Sequence, residues 1–305
     1  MNIDDFILRN LYNDDVVFHY TTASTAIDHI LSEKRLKFRH IRKSNDPVER
    51  ISPECAIIGN AASGNYERNL RDCNYLRDLI INLDNRFYQI CFCKNIEDKE
   101  SDINNNHGSI IENEKFFGFA KPTMWAQYTE DYTGVCIAFS KKKILALNKN
   151  NTALMPKDIM YLTNLELRDK RVGYINYDYL SKVGPECYRK EIEDKIKLGF
   201  FCKHKECEDE NEFRIGMFFN NQRIPEIDKE DADKNSIWLK TEGCIKALFV
   251  SSLANDKQKK DLLKYANKLN VPIIEIAWTY NLFGIRDFIS FSRVSANGKQ
   301  NKCKN

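Results

Sequence analysis

The residues best suited to acid–base chemistry lie between positions 208 and 214, where four acidic side chains precede Phe213 and Arg214. If this segment enters a strand, the period of two places Glu210, Glu212 and Arg214 on one face and Phe213 on the other. Two carboxylates beside an arginine suit proton transfer or the stabilisation of a developing positive charge. A solvated acidic turn with a surface ion pair would use the same residue types, so both interpretations stay open.

A second candidate is His19, one of five histidines in the chain. It lies near the end of residues 16–20, whose β-branched and aromatic side chains predict a short strand, and Thr21 and Thr22 follow it. An imidazole and hydroxyls at a strand end could face a cleft and hydrogen-bond the ribose or amide groups of a ligand. Alternatively, His19 donates to a neighbouring carbonyl while Tyr20 packs in the core.

Trp125 and Tyr128 form the third candidate, because residues three apart are neighbours on one face of a helix. Pro122 predicts the start of that helix. A flat base or a nicotinamide ring could stack on these aromatic side chains. The alternative is that both pack in the core, which is the commoner use of aromatic residues at this spacing.

Familiar catalytic fingerprints are mostly missing. The sequence contains no GxxxxGK[ST], no GxGxxG after a predicted strand, no HExxH and no GxSxG. This absence argues against the ordinary phosphate-loop and Rossmann cofactor classes.

The ten cysteines include no CxxC pair, which argues against a zinc or disulfide framework. The closest approach to a metal set is Cys202, His204 and Cys207, with Cys91 and Cys93 as completing ligands. Structural zinc normally uses four ligands in two short-spaced pairs. We therefore expect free thiols and no metal.

Composition predicts a folded cytoplasmic protein. The chain is 42% hydrophobic and 11% aromatic, which is too much apolar surface for a chain that stays unfolded. A formal net charge of +3 gives no global attraction to nucleic acid, although local patches are still allowed. No segment approaches the roughly 20 apolar residues of a membrane-spanning helix, so we expect no membrane partner.

Hydrophobic periodicity predicts strands scattered among helices. We expect extended segments at residues 16–20, 36–41, 87–94, 135–140, 172–177, 212–219, 245–251 and 273–277. We expect helices from residue 22 or 24 to 31, and at 67–83, 122–128, 179–199 and 256–269. Residues 95–115 and 141–155 are predicted to be polar connections.

These elements predict an α+β fold in which residues 1–305 form a single domain. Strands 16–20, 135–140 and 212–219 should lie in one central sheet system, because each is apolar enough to be buried. Residues 245–280 predict a strand-helix-strand crossover, which could form a C-terminal subdomain.

Five short segments occur in a recognisable order: HYTT at residues 19–22, SNDPVE at 44–49, MWAQY at 124–128, GVCIAF at 134–139 and ENEFR at 210–214. In this order they resemble the bacterial domain-of-unknown-function 2971 family. Its members show an HYTS-like start, an NDPxE-like loop, a WxxY helix leading into a GxCIxF strand, and then ExEWR or a close variant. That family name supplies no activity.

The layout is also similar to that of ADP-ribosyltransferases, especially those that modify nucleic acid. This resemblance implies mixed central sheets flanked by helices, NAD as the substrate and no metal. It implies that His19, Tyr20 and Thr21 hold the NAD ribose and nicotinamide amide. It also implies that Tyr128, with Trp125 beside it, stacks on the nicotinamide.

In the same resemblance Glu212, supported by Glu210 and Arg214, acts at the glycosidic bond. Asn45 and Asp46 could contact ribose hydroxyls. Arg39 or Arg42 could meet the pyrophosphate, since a guanidinium offers a fork matched to it.

We therefore expect an NAD-dependent ADP-ribosyltransferase, serving as a toxin or phage-defence effector with a macromolecular acceptor such as nucleic acid. One alternative is a non-enzymatic module that senses a nucleotide or peptide in bacterial defence. Another is an acid–base hydrolase of nucleotides or NAD. Placement of His19, Tyr128 and Glu212 around one cleft would favour the transferase.

Overall fold

The computed structural model describes residues 2–44, 46, 49–50, 56–58, 66–96, 114–170, 174–219, 237–279 and 282–288. The helices in these residues are α1 (Ile3–Asn10), α2 (Ala23–Thr25, continued by π-helical Ala26–Leu31), α3 (Tyr66–Asp84), α4 (Pro122–Tyr128), α5 (Lys141–Leu147), α6 (Asn164–Lys170), α7 (Tyr177–Val183), α8 (Pro185–Gly199) and α9 (Asp256–Leu269).

The strands in the same residues are β1 (Val16–Thr21), β2 (Arg35–Lys37), β3 (Arg39–His40), β4 (Ala56–Ile58), β5 (Phe87–Lys94), β6 (Val135–Ser140), β7 (Met155–Asp158), β8 (Met160–Leu162), β9 (Tyr174–Asn176), β10 (Cys202–His204), β11 (Glu212–Phe218), β12 (Trp238–Lys240), β13 (Ile245–Ser251), β14 (Ile273–Thr279) and β15 (Leu282–Phe288). This mixture of helices and sheets confirms the α+β class.

A nine-stranded sheet organises the fold in the order β15-β14-β13-β6-β1-β5-β11-β7, with β3 also paired to β5. The predicted central sheet is confirmed, because β1, β6 and β11 all lie in it. The predicted crossover is also confirmed, since β13 and β14 pair in parallel and α9 connects them. β13 pairs with β6, so the C-terminal strands continue the central sheet.

Two local predictions were wrong. Residues 141–147 form α5 rather than a connection, because the side chain of Ser140 caps the helix at Lys143 N and Ile144 is buried. The single helix expected over residues 179–199 is two helices. Pro185 disfavours a helical conformation for the preceding residue, and Gly184 takes a φ of 82° between α7 and α8.

Strand register determines which side chains share a face of the central sheet. Phe18 lies opposite Cys93, and Cys93 lies opposite Glu212. Paired residues point to the same face, whereas neighbours along a strand alternate. Glu212 and Arg214 therefore share a face with Phe18, which we call the Glu212 face. His19 points to the opposite face, the His19 face.

Helices cover both faces. On the His19 face, one apolar cluster joins Val17 and Ile215 to the helices after β1 and to α9. On the Glu212 face there are two clusters. One contains Phe18 and packs against α1 and α4, and the other contains Phe87 and packs against α3, α7 and α8. Glu212 and Arg214 belong to neither cluster, and they start a strand that runs from one cluster toward the other.

The pairing of β1 with β5 ends early. It covers Val17 with Lys94 and Phe18 with Cys93, although β1 continues to Thr21 and remains paired with β6. Farther along, β3 pairs with β5. Because β11 occupies the other edge of β5, β1 and β3 share one edge and diverge around Cys91. We call this opening the fork.

Among the helices of the described residues, none has the length and apolar character needed to cross a bilayer.

Candidate functional site

Glu212 and Arg214 form the centre of a buried group of charged side chains. They are two residues apart in β11, so both point to the Glu212 face. Arg214 Nε donates to Glu212 Oε1 over 2.7 Å, and Arg214 Nη2 donates to Glu212 Oε2 over 3.1 Å. Only 3% of Glu212 and 1% of Arg214 is exposed. The arginine therefore holds both carboxylate oxygens away from water.

Arg214 also connects β11 to the rest of the chain. Its Nη1 donates to the carbonyl of Phe200 over 2.7 Å, and its Nη2 donates to Glu49 Oε1 over 2.6 Å. Glu49 accepts from Ser44 Oγ over 2.6 Å and from Gln89 Nε2 over 3.3 Å. The SNDPVE segment thus reaches the same site as the ENEFR segment.

Lys203 on β10 joins the two glutamates that the sequence analysis selected. Its Nζ lies 2.7 Å from Glu210 Oε2 and 3.0 Å from Glu212 Oε2. Glu210 does not lie in the strand as predicted. It ends the 3₁₀ helix Lys205–Glu210, and Asn211 then adopts a left-handed conformation (φ 40°, ψ 57°) before β11 begins. The ammonium of Lys203, rather than strand alternation, brings Glu210 to Glu212.

These five side chains, Glu49, Lys203, Glu210, Glu212 and Arg214, are called the charge cluster below. Its three carboxylates and two cations have different access to solvent. The side chain of Glu210 is 17% exposed, whereas that of Lys203 is 5% exposed. Glu210 is therefore the member that an incoming molecule would meet first.

Burial and charge shift the two neighbouring glutamates in opposite directions. Burial acts to raise the pKa of Glu212, but Arg214 and Lys203 outweigh it and lower that pKa to about 2. For Glu210, burial outweighs the opposing effect of Lys203, and the charge of Glu212 adds to it, so its pKa is raised. Burial likewise opposes ionisation of Glu49, yet Arg214 and Lys203 leave its pKa lowered. Glu212 is a fixed anion, and Glu210 is the better proton acceptor.

Two tyrosines and a cysteine adjoin the charge cluster. The hydroxyl of Tyr161 accepts from the backbone N–H of Glu212 over 2.8 Å, and Cys91 lies directly opposite Arg214 in the pairing of β5 with β11. The pKa of Tyr128 is raised mainly by burial, and the charges of Lys203, Glu210 and Glu212 also act on it. Tyr128 therefore lies within electrostatic reach of both predicted glutamates.

His19 lies in the fork, on the face opposite Glu212. Its Nδ1 is 3.0 Å from the carbonyl oxygen of Cys91 and its ring lies near Phe92, with 5.6 Å between ring centroids. Because a carbonyl only accepts, Nδ1 carries the hydrogen and Nε2 presents a lone pair when the ring is neutral. Burial lowers the pKa of His19, against the opposing effect of the hydrogen bond. The structure thus does not place His19 and Glu212 on one face of the sheet.

Tyr20 and Thr21 are buried, with exposed fractions of 5% and 8%. Tyr20 OH donates to the carbonyl of Gly118 over 2.7 Å and accepts from Lys121 N over 3.3 Å. Tyr20 therefore packs in the core, as the alternative interpretation of this segment expects.

Trp125 lies wholly inside the core. It is 0% exposed, and its indole Nε1 donates to the carbonyl of Phe119 over 2.8 Å. Neither face of this ring is open to a ligand. Of the two predicted aromatic residues, only Tyr128 approaches the charge cluster.

Asp46 is half-buried, and its backbone N–H donates to Ser44 Oγ over 3.2 Å. Ser44 also donates to Glu49, so Asp46 belongs to the loop that supplies the charge cluster. Asn45 lies outside the described residues.

Sequence reasoning missed Lys203 and Tyr161, considered Cys91 only as a metal ligand, and quoted Glu49 without a role. Lys203 stands between Cys202 and His204, which drew attention as metal ligands instead. A usable signal was present, because buried carboxylates require cationic partners and Arg214 alone could not balance two of them.

Within the residues that the structure describes, no group of three or more His, Cys, Asp or Glu side chains could hold a metal ion. The cysteines found there are free thiols.

The model of a protein family of unknown function, DUF2971, matches residues 124–215. This range begins in α4 and ends in β11, and it includes three of the five segments that resemble the family. The match supports the resemblance over that range. No curated protein and no solved structure matches the chain.

Proposed function

We propose that this protein is an NAD-dependent ADP-ribosyltransferase whose reaction takes place at the solvent side of the charge cluster. The observation that carries the proposal is the pair Glu210 and Glu212, bridged by Lys203, with one pKa raised and the other lowered. Neighbouring carboxylates with separated pKa values typically divide the roles of proton carrier and fixed charge.

The charges of the site suit a reaction that develops positive charge on a sugar. Cleavage of the bond between nicotinamide and ribose passes through an oxocarbenium-like state, which nearby carboxylates stabilise. Three carboxylates against two cations leave an excess negative charge when all are ionised. Two hydrogen bonds from Arg214 fix the orientation of the Glu212 carboxylate, so this side chain supplies negative charge without having to move during the reaction.

Glu210 is assigned to proton transfer. The C1′–N bond breaks with its electron pair leaving on nicotinamide, an acceptor O–H or N–H attacks C1′, and the released proton passes to the Glu210 carboxylate. A raised pKa makes this carboxylate a better base. Tyr128 is assigned to the leaving ring, as the ADP-ribosyltransferase resemblance implies, and the charges of Lys203, Glu210 and Glu212 act on its hydroxyl.

NAD is proposed as the substrate because the ADP-ribosyltransferase resemblance implies it. β1, which carries His19, and β11, which carries Glu212, both pair with β5, and the two side chains point to opposite faces of the sheet. A ligand that entered the fork beside His19 could meet the Nε2 lone pair with a ribose hydroxyl. The ADP-ribosyltransferase resemblance assigns this contact to His19.

A specific observation favours a second candidate, a nucleotide-sensing module without catalysis. Both oxygens of Glu212 are engaged by Arg214, and Lys203 neutralises the same carboxylate further. A carboxylate bound in this way can serve as a structural ion pair that joins β10 to β11.

Turnover by Glu210 variants separates the two candidates. The protein is incubated with labelled NAD and total RNA, DNA or protein, and nicotinamide release and label transfer are followed. Glu210→Gln should lower turnover by about 10²-fold to 10³-fold while NAD binding, measured by calorimetry, is retained. Glu208→Gln is the matched control, because Glu208 is an exposed glutamate of the same 3₁₀ turn.

The pH profile adds a second readout. The rate should rise with pH as Glu210 loses its proton, and this limb should vanish in Glu210→Gln. Full turnover in Glu210→Gln would reject the assigned base. Absence of NAD binding at millimolar concentration would reject the transferase in favour of the sensing module, and mass spectrometry of co-purifying nucleotides would then identify its ligand. Nicotinamide release without any label transfer would identify an NAD hydrolase.

A further inference from the structure

The small sheet formed by β2 and β12 presents cations on its outer side. Its antiparallel register pairs Lys37 with Trp238, Leu36 with Leu239, and Arg35 with Lys240. The central pair of leucines is buried in the core, with each residue 2% exposed or less. Because side chains alternate along a strand, the other two pairs point away from the core.

Arg39 extends this outer row. Phe38, between Lys37 and Arg39, is buried, and its N–H donates to the carbonyl of Ile237 over 2.9 Å. Because side chains alternate along an extended chain, the side chains of Lys37 and Arg39 point in the same direction. Arg39 is exposed. We call Arg35, Lys37, Arg39, Trp238 and Lys240 the basic platform.

The platform combines exposed cations with a planar stack. The guanidinium carbon of Arg35 lies 3.8 Å from the ring centroid of Trp238, and Lys37 Nζ lies 5.6 Å from it. Arg35 is also paired with Glu33 at 2.5 Å. Among the described residues, no carboxylate lies within ion-pair distance of Lys37, Arg39 or Lys240, and all three are exposed.

We infer that the basic platform binds single-stranded nucleic acid. Exposed cations that lack protein partners attract phosphates and release their counterions. An aromatic ring and a guanidinium plane provide a surface on which unpaired bases can stack. Bases are available for such stacking in a single strand and not in a duplex, so the platform favours a single strand. An acidic peptide would use the cations but not the stacked plane.

The platform contains no member of the charge cluster, so its binding does not depend on the residues assigned to bond cleavage and proton transfer. Arg39 is the member nearest the fork, because it belongs to β3 and pairs with Gln89 of β5. Binding can therefore be measured directly, without any assay of turnover, and its failure would leave the transferase proposal standing.

Fluorescence anisotropy with labelled single-stranded RNA and DNA oligonucleotides tests the inference on the full chain. Lys37→Gln/Arg39→Gln/Lys240→Gln should weaken binding at least about tenfold and reduce the salt slope by about 2, as expected for three lost phosphate contacts. The matched control is Lys190→Gln/Lys195→Gln/Lys257→Gln, which removes three exposed lysines from α8 and α9 and the same net charge. It should change affinity less than about threefold.

Trp238 supplies a second readout. Binding should quench its emission, and Trp238→Phe should abolish most of that quench, because Trp125 is buried in the core and Trp278 packs against the cluster that contains Trp125. Equal weakening by the two triple variants would overturn the platform as the binding surface. Equal or tighter binding of a duplex of the same length, or of polyglutamate, would overturn the assignment to single strands.

Discussion

Arg214 forms a buried bidentate ion pair with Glu212, with Nε 2.7 Å from Oε1 and Nη2 3.1 Å from Oε2. This relationship distinguishes Glu212 from the surface ion pair of a solvated acidic turn. Glu212 is 3% exposed and has two cationic partners. Its replacement should therefore affect folding as well as any activity.

We predict that Glu212→Gln destabilises the protein by about 3 kcal/mol, because Arg214 and Lys203 each lose one of their two carboxylate partners inside the fold. Urea unfolding followed by circular dichroism measures the change. Glu208→Gln, at an exposed position, should stay within about 0.5 kcal/mol of the parent protein. An unchanged midpoint in Glu212→Gln would show that the pair contributes nothing to stability.

Acid should remove the contribution of Glu212. Burial would raise its pKa, but Arg214 and Lys203 hold that pKa at about 2, below the ordinary value of 4.5. A carboxyl with a lowered pKa in the folded state stabilises the fold above its unfolded pKa. This stabilisation, on the order of 3 kcal/mol, is lost as pH falls from about 4.5 toward 2.

The measurement is the free energy of unfolding of the parent protein and of Glu212→Gln across this range. The difference between them should be largest near neutral pH and should shrink as the pH falls below about 4.5. A difference that stays constant with pH would mean that the charge of Glu212 is not what stabilises the fold.

His19 should stabilise the fork. His19→Ala removes the hydrogen bond to the carbonyl of Cys91 and leaves that part-buried acceptor without its imidazole donor, which should cost about 1 to 2 kcal/mol. His19→Asn offers an amide donor at a similar position and should recover part of the loss. Thermal melting gives the stabilities, with hydrogen exchange of the Cys91 region reporting opening of the fork. Equal melting of His19→Ala and the parent would contradict the role.

Gly134 should resist substitution. A Cβ at this position would lie 2.4 Å from the carbonyl oxygen of Thr21 and 2.7 Å from Thr129 Cβ. Gly134→Ala should therefore push apart the end of β1 and the start of β6, at a cost of about 2 to 3 kcal/mol. Gly199→Ala is the control, since a Cβ there meets nothing within 4 Å, and it should leave stability unchanged or slightly higher. Similar unfolding midpoints for the two variants would refute the close approach.

Part of the candidate site could be predicted from local patterns. Glu212 and Arg214 are two apart, and the alternation of a strand places them on one face in any fold that keeps β11. Strand β5 and helix α4 occupy the predicted residues, because their apolar spacing and Pro122 are signals within a few residues of chain. Glu210 could not be placed in this way, since the left-handed Asn211 interrupts the alternation.

The sequence by itself determined the strands and helices with strong periodicity, the α+β class, and the acidic and basic side chains available for chemistry. Only the tertiary structure decided that Lys203 and Glu49 join Glu212, that Trp125 belongs to the core, and that His19 and Glu212 lie on opposite faces. The physical reason is the distance along the chain over which the determining interactions act. Periodicity follows from the dihedral angles of neighbouring residues, whereas strand order and register follow from packing between segments far apart in the chain.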